Sequence, residues 1–208
     1  YGGQMVERDR LIATRANAVH ALMPDAWAAA VELYMMALAH LRSLPGFTVA
    51  SDRVQRPDGV IVPLNSNQPL LTLGRLVAED LCLMQKQRDE HVLTGAILCF
   101  PAHWTLAEKI GRPMIRIHQP VESYDDDIAK RVQRIFDNLR VDQPVCRGNL
   151  HRWHEADLFA PRSEKDAPYE RDDTAPYLRS ERQSLIRLPE TDAILFTIHT
   201  SIIRARTD

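Results

Sequence analysis

Apolar residues recur at three- and four-residue steps through Leu11, Ile12, Ala16, Val19 and Leu22, which predicts an amphipathic helix over residues 5–22. Pro24 suits the first turn of a second helix, carried to about Leu44 by Trp27, Val31, Tyr34, Leu38 and Leu41 and stopped by Pro45-Gly46. The pattern then changes. Arg56-Pro57-Asp58-Gly59 reads as a turn before a short strand, Val60-Ile61-Val62. Leu73 to Leu81 reads as a short helix that Thr72 caps. Leu81 to Gln87 and His91 to Phe100 read as strands joined by Arg88-Asp89-Glu90; the second, nearly all apolar, has the pattern of a central strand. A brief helix over Thr105 to Ile110 ends at Gly111.

Ser123 to Arg140 carries the clearest helical pattern. Its apolar face is Ile128, Val132, Ile135, Phe136 and Leu139, with Asp125, Asp126 and Asp127 at the positive end and Arg131, Arg134 and Arg140 further on. Residues 160–176, rich in Pro, Asp, Glu and Arg, read as an exposed loop. Arg182 to Leu188 and Ala193 to Ile203 read as two strands joined at Pro189-Glu190-Thr191-Asp192. Helices first, then a mostly antiparallel sheet with helices interspersed, predict an α+β fold.

Composition narrows the class. At 208 residues, 45% hydrophobic and 26% charged, the chain has the size and mix of one soluble domain. With 26 Lys+Arg against 28 Asp+Glu, it lacks the positive charge of a typical nucleic-acid binder. The most apolar stretch, Ala26 to Leu41, contains Glu32 and His40 and is shorter than the roughly 20 apolar residues of a membrane span. Three cysteines without CxxC spacing suit a reducing compartment. These features predict a cytoplasmic protein without a nucleic-acid or membrane partner. The eight histidines bring metal-ligand and acid–base chemistry into view.

No phosphate-binding glycine loop, HExxH or nucleophile elbow occurs. Chemistry therefore has to come from constellations. Phe100-Pro101-Ala102-His103-Trp104 sits where a buried strand gives way to a helix, a position for a functional histidine or for a packed connection. In Ile117-His118-Gln119-Pro120, His118 follows apolar residues and is restrained by Pro120; it reads either as a hydrogen-bonded core histidine or as an iron ligand. Strand alternation puts Glu181, Gln183, Leu185 and Arg187 on one face and Arg182, Ser184 and Ile186 on the other. Buried charges there need partners or a ligand; an edge strand in water is the alternative. His151 and His154 flank Trp153 without a clear third ligand, and His199 alternates with Thr197 and Ser201.

Five segments in order resemble the alpha subunit family of haem-dependent oxidative N-demethylases. They are Leu73–Met84, His91–Pro113, Ile117–Val121, Leu178–Gln183 and Phe196–Thr200, spanning about residues 70–203. The resemblance implies a PAS-like curved antiparallel sheet gripping haem b over residues 49–208, with a helical pair packed on it over 1–48. It implies oxidative N-demethylation of a small secondary amine with O₂. Electrons would come from NADPH through FMN and an iron–sulfur centre on partner reductase subunits, where tetrahydrofolate takes the one-carbon unit.

By the same resemblance His118 is the expected proximal iron ligand, with His103 and then His199 behind it. Arg179, Glu181, Arg182 and Gln183 would form the polar side that meets oxygen and substrate. A carboxylate such as Glu181 suits a cationic amine, and an arginine suits negative charge developing on oxygen. Arg182 equally suits a haem propionate. A PAS-type haem or gas sensor, and a haem-free ligand-binding domain, are the competing expectations.

Overall fold

The computed structural model describes residues 2–118, 126–167 and 172–205. The chain opens with α1 (Gly2–Val19), passes through β1 (His20–Leu22) and a 3₁₀ turn (Pro24–Ala26), and enters α2 (Trp27–Leu41). Then follow β2 (Thr48–Val49), β3 (Arg53–Gln55), β4 (Ile61–Pro63) and α3 (Pro69–Gly74). The hairpin β5 (Asp80–Gln87) and β6 (Glu90–Ile97) leads to α4 (Leu106–Lys109), α5 (Met114–His118) and α6 (Asp126–Asn138). Three long strands close the chain: β7 (Val145–Trp153), β8 (Tyr177–Arg187) and β9 (Ile194–Arg204).

Two sheets form. The main one has the order β1-β6-β5-β9-β8-β7, and the small one β2-β3-β4. Every pairing is antiparallel. This is the α+β, PAS-like architecture expected from the sequence. The apolar β6 lies between β1 and β5, as its composition required.

One face of the main sheet, through Leu81, Leu83, Ile97 and Leu195, packs against Leu11, Leu33, Tyr34, Leu38 and Leu73 from α1, α2 and α3. The other face carries Cys82, Met84 and Ile194 under Leu106, Phe136 and Leu139, with Trp104, Met114, Ile117 and Phe196 packed alongside. Strand alternation allows both faces to be apolar at once. Polar anchors fix the layers. Arg187 on β8 donates to the Leu139 and Phe136 carbonyls at 2.6 and 2.7 Å, tying the end of α6 to the sheet. Glu32, charged within the apolar stretch of α2, accepts the backbone N–H groups of Glu190 and Thr191 in the β8–β9 turn.

Several boundaries differ from the sequence reading. The first helix stops at Val19, because His20–Leu22 pairs with Ile97–Gly95 and covers the outer edge of β6. The third helix is not Leu73–Leu81 but Pro69–Gly74. Proline sits in its first turn, and a Cβ at Gly74 would come within 2.5 Å of Ile97 Cγ1, so α3 ends pressed on β6. Thr72 lies inside this helix, bonding the Gln68 and Asn65 carbonyls instead of capping. The small sheet gains β2 and β3, and α5 and β7 form where no element was expected. β8 begins at Tyr177 instead of Arg182. The clearest helical pattern forms α6 from Asp126; Asp125 and the carboxylates of Asp126 and Asp127 lie outside the described residues. Gly111, at φ 71°, takes the left-handed conformation that its position after α4 demands.

Candidate functional site

Strand register builds a row of polar side chains on the α4–α6 face of the sheet. Arg179, Glu181, Gln183, Leu185 and Arg187 share one face of β8, as alternation predicted. Opposite them on β7 stand His151, Asn149, Arg147 and Val145, and on β9 Ile202, Thr200, Ile198, Phe196 and Ile194. The apolar half of this face, at Leu185 and Phe196, runs into the cluster under α4, α5 and α6. The polar half lies toward Arg179.

The polar half is a connected network. Arg179 Nε donates to Glu181 Oε1 at 3.1 Å. Gln183 Nε2 and Asn149 Nδ2 donate to Glu181 Oε2 at 3.0 and 3.3 Å. Arg147 Nε donates to Gln183 Oε1 at 2.7 Å. Arg179, Glu181 and Gln183 are buried, and burial pulls the Arg179 pKa down against the opposing pull of Glu181. Burying a guanidinium and a carboxylate together is tolerable only because their remaining donors and acceptors are also used. Arg179 Nη1 reaches the Leu158 carbonyl at 3.3 Å, and Nη2 the Phe100 carbonyl at 2.7 Å.

Two atoms break this pattern of satisfaction. Asn149 Oδ1 and Thr200 Oγ1 are buried without a hydrogen-bond partner among the described residues. They flank Glu181 on either side in one cross-strand row. Orphaned buried polar atoms are uncommon in folded proteins, so such a pair marks a place where a water or ligand group belongs.

His103 enters from the loop after β6. Its N–H donates to the Ala160 carbonyl at 2.9 Å, and Ala102 bridges Ala160 in parallel. The residue takes φ 58°, a conformation that costs a side-chain-bearing residue about 1–2 kcal/mol. The ring stacks on Trp153 at 4.1 Å, and Arg179 lies over the same indole at 4.9 Å. Burial first, then the charges of Arg162, Arg179 and His154, push the His103 pKa down to about 4. The imidazole is therefore neutral at pH 7, the form that ligates a metal.

Of the residues singled out in the sequence, the fold thus joins His103, Arg179, Glu181 and Gln183 through Trp153. It separates two others. Arg182 points from the opposite face, largely exposed, and pairs with Glu79 at 3.4 Å. His199 stands opposite Arg182 in register, on that same far face. His118 closes α5, and its side chain lies outside the described residues, as do Gln119 and Pro120. His154 faces Asp172 at 3.6 Å. Among the described residues no group of three or more His, Cys, Asp or Glu is placed to hold a bare metal ion.

Sequence reasoning missed Arg147, Asn149, Trp153 and Thr200. The odd positions of 145–153 are Val, Arg, Asn, His and Trp, a mixed face that hides the strand from hydrophobic alternation. Thr200 could be found only from its register with Glu181.

A search of curated proteins gives no match. A family match does exist, and it extends the resemblance seen in five segments to nearly the whole chain. The described family is the haem-dependent oxidative N-demethylase, alpha subunit-like, and the match covers residues 1–207. The PAS-like sheet, the strand-end loop carrying His103 and the β8 polar row lie within that span, and the chain belongs to the family of haem-dependent oxidative N-demethylase, alpha subunit-like proteins.

Proposed function

We propose that this chain is the haem b-binding oxygenase subunit of an oxidative N-demethylase acting on a small secondary amine. In the overall reaction the amine loses one methyl group as formaldehyde. One oxygen atom of O₂ enters the formaldehyde and the other leaves as water, with two electrons and two protons supplied through partner reductase subunits. The alpha-subunit description of the family supports the existence of other subunits. Assignment of NADPH, FMN, iron–sulfur and tetrahydrofolate sites to those partners, and a cytoplasmic location, belong to the same proposal. Among the described residues no helix is long and apolar enough to cross a membrane.

The observation that carries the reading is the buried Arg179–Glu181–Gln183 row abutting an apolar, helix-covered surface. Haem needs both halves: apolar contacts for the macrocycle and cations for its propionates. Met114, Ile117, Leu185 and Phe196 provide the first. Arg147, on the edge strand beside Gln183, suits the second. A neutral His103, and His118 by the family resemblance, are the residues that would hold the haem iron. The orphaned Asn149 Oδ1 and Thr200 Oγ1 likewise fit a site that accepts a further group. The residues present therefore fit haem. When bound, haem supplies the redox chemistry that reduces O₂.

The chain's own residues supply recognition and field. Glu181 offers carboxylate charge to a cationic amine, and its three neighbouring donors keep it oriented. Asn149 Oδ1 and Thr200 Oγ1 can accept N–H groups on either side of it. Arg179 holds positive charge next to the row, fixed by two carbonyls so that no reorganisation is needed as negative charge develops. Arg182 and His199 take no part in this arrangement.

The decisive experiment is an absorbance spectrum after expression with haem supply. A Soret band is expected; its absence would favour the haem-free alternative. His118→Ala should abolish or shift that band, whereas an unchanged spectrum transfers the ligand assignment to His103. Formaldehyde release from secondary amines, given O₂ and reductant, separates an oxygenase from a haem sensor that binds O₂ without turnover.

A further inference from the structure

The β8 row is linked through Phe100 to a residue two strands away in the same sheet, which pairs with Ile198 as Gln183 does from the other side. Asp80 is the first residue of β5 and is completely buried. Its carboxylate collects three donors. Arg8 of α1 approaches Oδ1 at 2.7 Å, the Cys99 N–H also donates to Oδ1 at 2.7 Å, and the Phe100 N–H donates to Oδ2 at 2.9 Å. Those two N–H groups lie just beyond β6, where the ladder no longer supplies acceptors. Asp80 replaces the missing ladder and fixes the Phe100 peptide. The carbonyl of that same residue receives Arg179 Nη2 at 2.7 Å.

Arg8 is itself completely buried and donates to the Gly74 and Ala78 carbonyls at 3.0 and 3.3 Å. Its Nη2 has no hydrogen-bond partner among the described residues, and the guanidinium lies 5.4 Å from the Phe100 ring centroid. A buried ion pair is a poor way to gain stability, since apolar residues of like volume often do as well. Its directional effect is specific: both charges converge on the peptide and ring of Phe100.

We infer that Asp80, backed by Arg8, is a positioning residue for the functional row: it sets the Phe100 carbonyl that docks Arg179, and so places Arg179 against Glu181 and Trp153. Its importance for catalysis rests on the function proposed above, but its positioning role is testable without haem or amine. Trp153 is the reporter, because Arg179 covers its indole.

In a Trp27→Phe, Trp104→Phe background, Trp153 is the sole tryptophan. Asp80→Asn keeps the shape but loses the charge and one acceptor. It should raise acrylamide quenching of Trp153 about twofold or more under native conditions, as the row opens locally. Arg179→Lys should reproduce that signature. Leu70→Ala, in the α1–α3 core, should lower the urea midpoint while leaving Trp153 quenching unchanged. If Asp80→Asn does not fold, Asp80→Glu retains the charge and displaces the carboxylate by one methylene; a smaller change in the same direction is expected.

Quenching unchanged in a folded Asp80 variant, with only the urea midpoint lowered, would overturn the inference and leave Asp80 a structural ion pair. The haem reading would survive that outcome. Conversely, a missing Soret band would remove the proposed function while leaving the Trp153 result intact.

Discussion

Arg179 and Glu181 lie two residues apart on one face of β8, 3.1 Å from guanidinium nitrogen to carboxylate oxygen, and both are buried. Period-two geometry brings them side by side, and their sheet neighbours supply the further bonds that make the pair tolerable away from water.

Glu181→Leu leaves Arg179 buried without its counter-charge. It should cost about 3–5 kcal/mol in urea unfolding, the usual penalty for breaking a buried pair from one side. Arg179→Met combined with Glu181→Leu should recover most of that loss. A double variant as unstable as the sum of the singles would show that the two side chains are not coupled.

Thr200→Val tests the orphaned hydroxyl. The Oγ1 atom is buried without a partner, so the methyl replacement should leave the haem-free protein as stable or raise its stability by about 1 kcal/mol. Amine affinity should fall in the same variant. A loss of stability in thermal unfolding would mean that the hydroxyl is bonded in solution.

Stability should rise with pH between about 4 and 6.5, in part through His103. Its pKa is pushed down to about 4 in the folded chain, mainly by burial, against an ordinary value of 6.5. Below 6.5 the unfolded chain takes up the proton first, so acid favours unfolding until the pH passes the folded pKa. His20 and His91 are shifted in the same direction by burial. His103→Gln should flatten the slope of urea stability in this window, and an identical slope would refute the shift.

Thiol labelling should distinguish the three cysteines. Burial pushes the Cys99 pKa up to about 12 and that of Cys82 up strongly, whereas Cys146 is exposed on the edge strand. A chromogenic disulfide reagent should modify one thiol rapidly in the native protein and all three in urea. Rapid modification of a second thiol without denaturant would contradict the burial of Cys82 on β5 and of Cys99 just after β6.

Acid should also loosen the loop beside His103. Lys109 and Arg116 hold the Glu164 pKa down to about 2 through hydrogen bonds, and Glu164 lies in the segment that follows Ala160. A depressed carboxylate contributes stability above its unfolded value, which is lost as pH falls toward 2. Glu164→Gln should therefore increase proteolytic nicking near residue 164 at neutral pH and remove its acid dependence.

By itself the sequence determined what depends on local repetition. The two opening helices, the apolar strand β6, the helix that carries Phe136, and the two faces of β8 follow from periods of 3.6 and 2, whereas β1, β2, β3, α5 and β7 do not. The histidine-bearing loop after β6 and the polar stretch Arg179–Gln183 were visible as chemistry, and their order along the chain carried the family.

Tertiary structure decided which of these residues meet. His103 and Arg179 are 76 positions apart in the chain and share one indole only because β7 pairs with β8 and the Phe100 loop folds across it. Strand alternation separated His199 from Thr200, but only the β8–β9 register set Thr200 opposite Glu181 and His199 opposite Arg182. β7 stayed hidden because an edge strand in water needs no apolar face, and Asp80 because a carboxylate that captures distant backbone N–H groups leaves no periodic trace. Side-chain pattern is local, whereas register and burial are set by the whole chain, and the site depends on both.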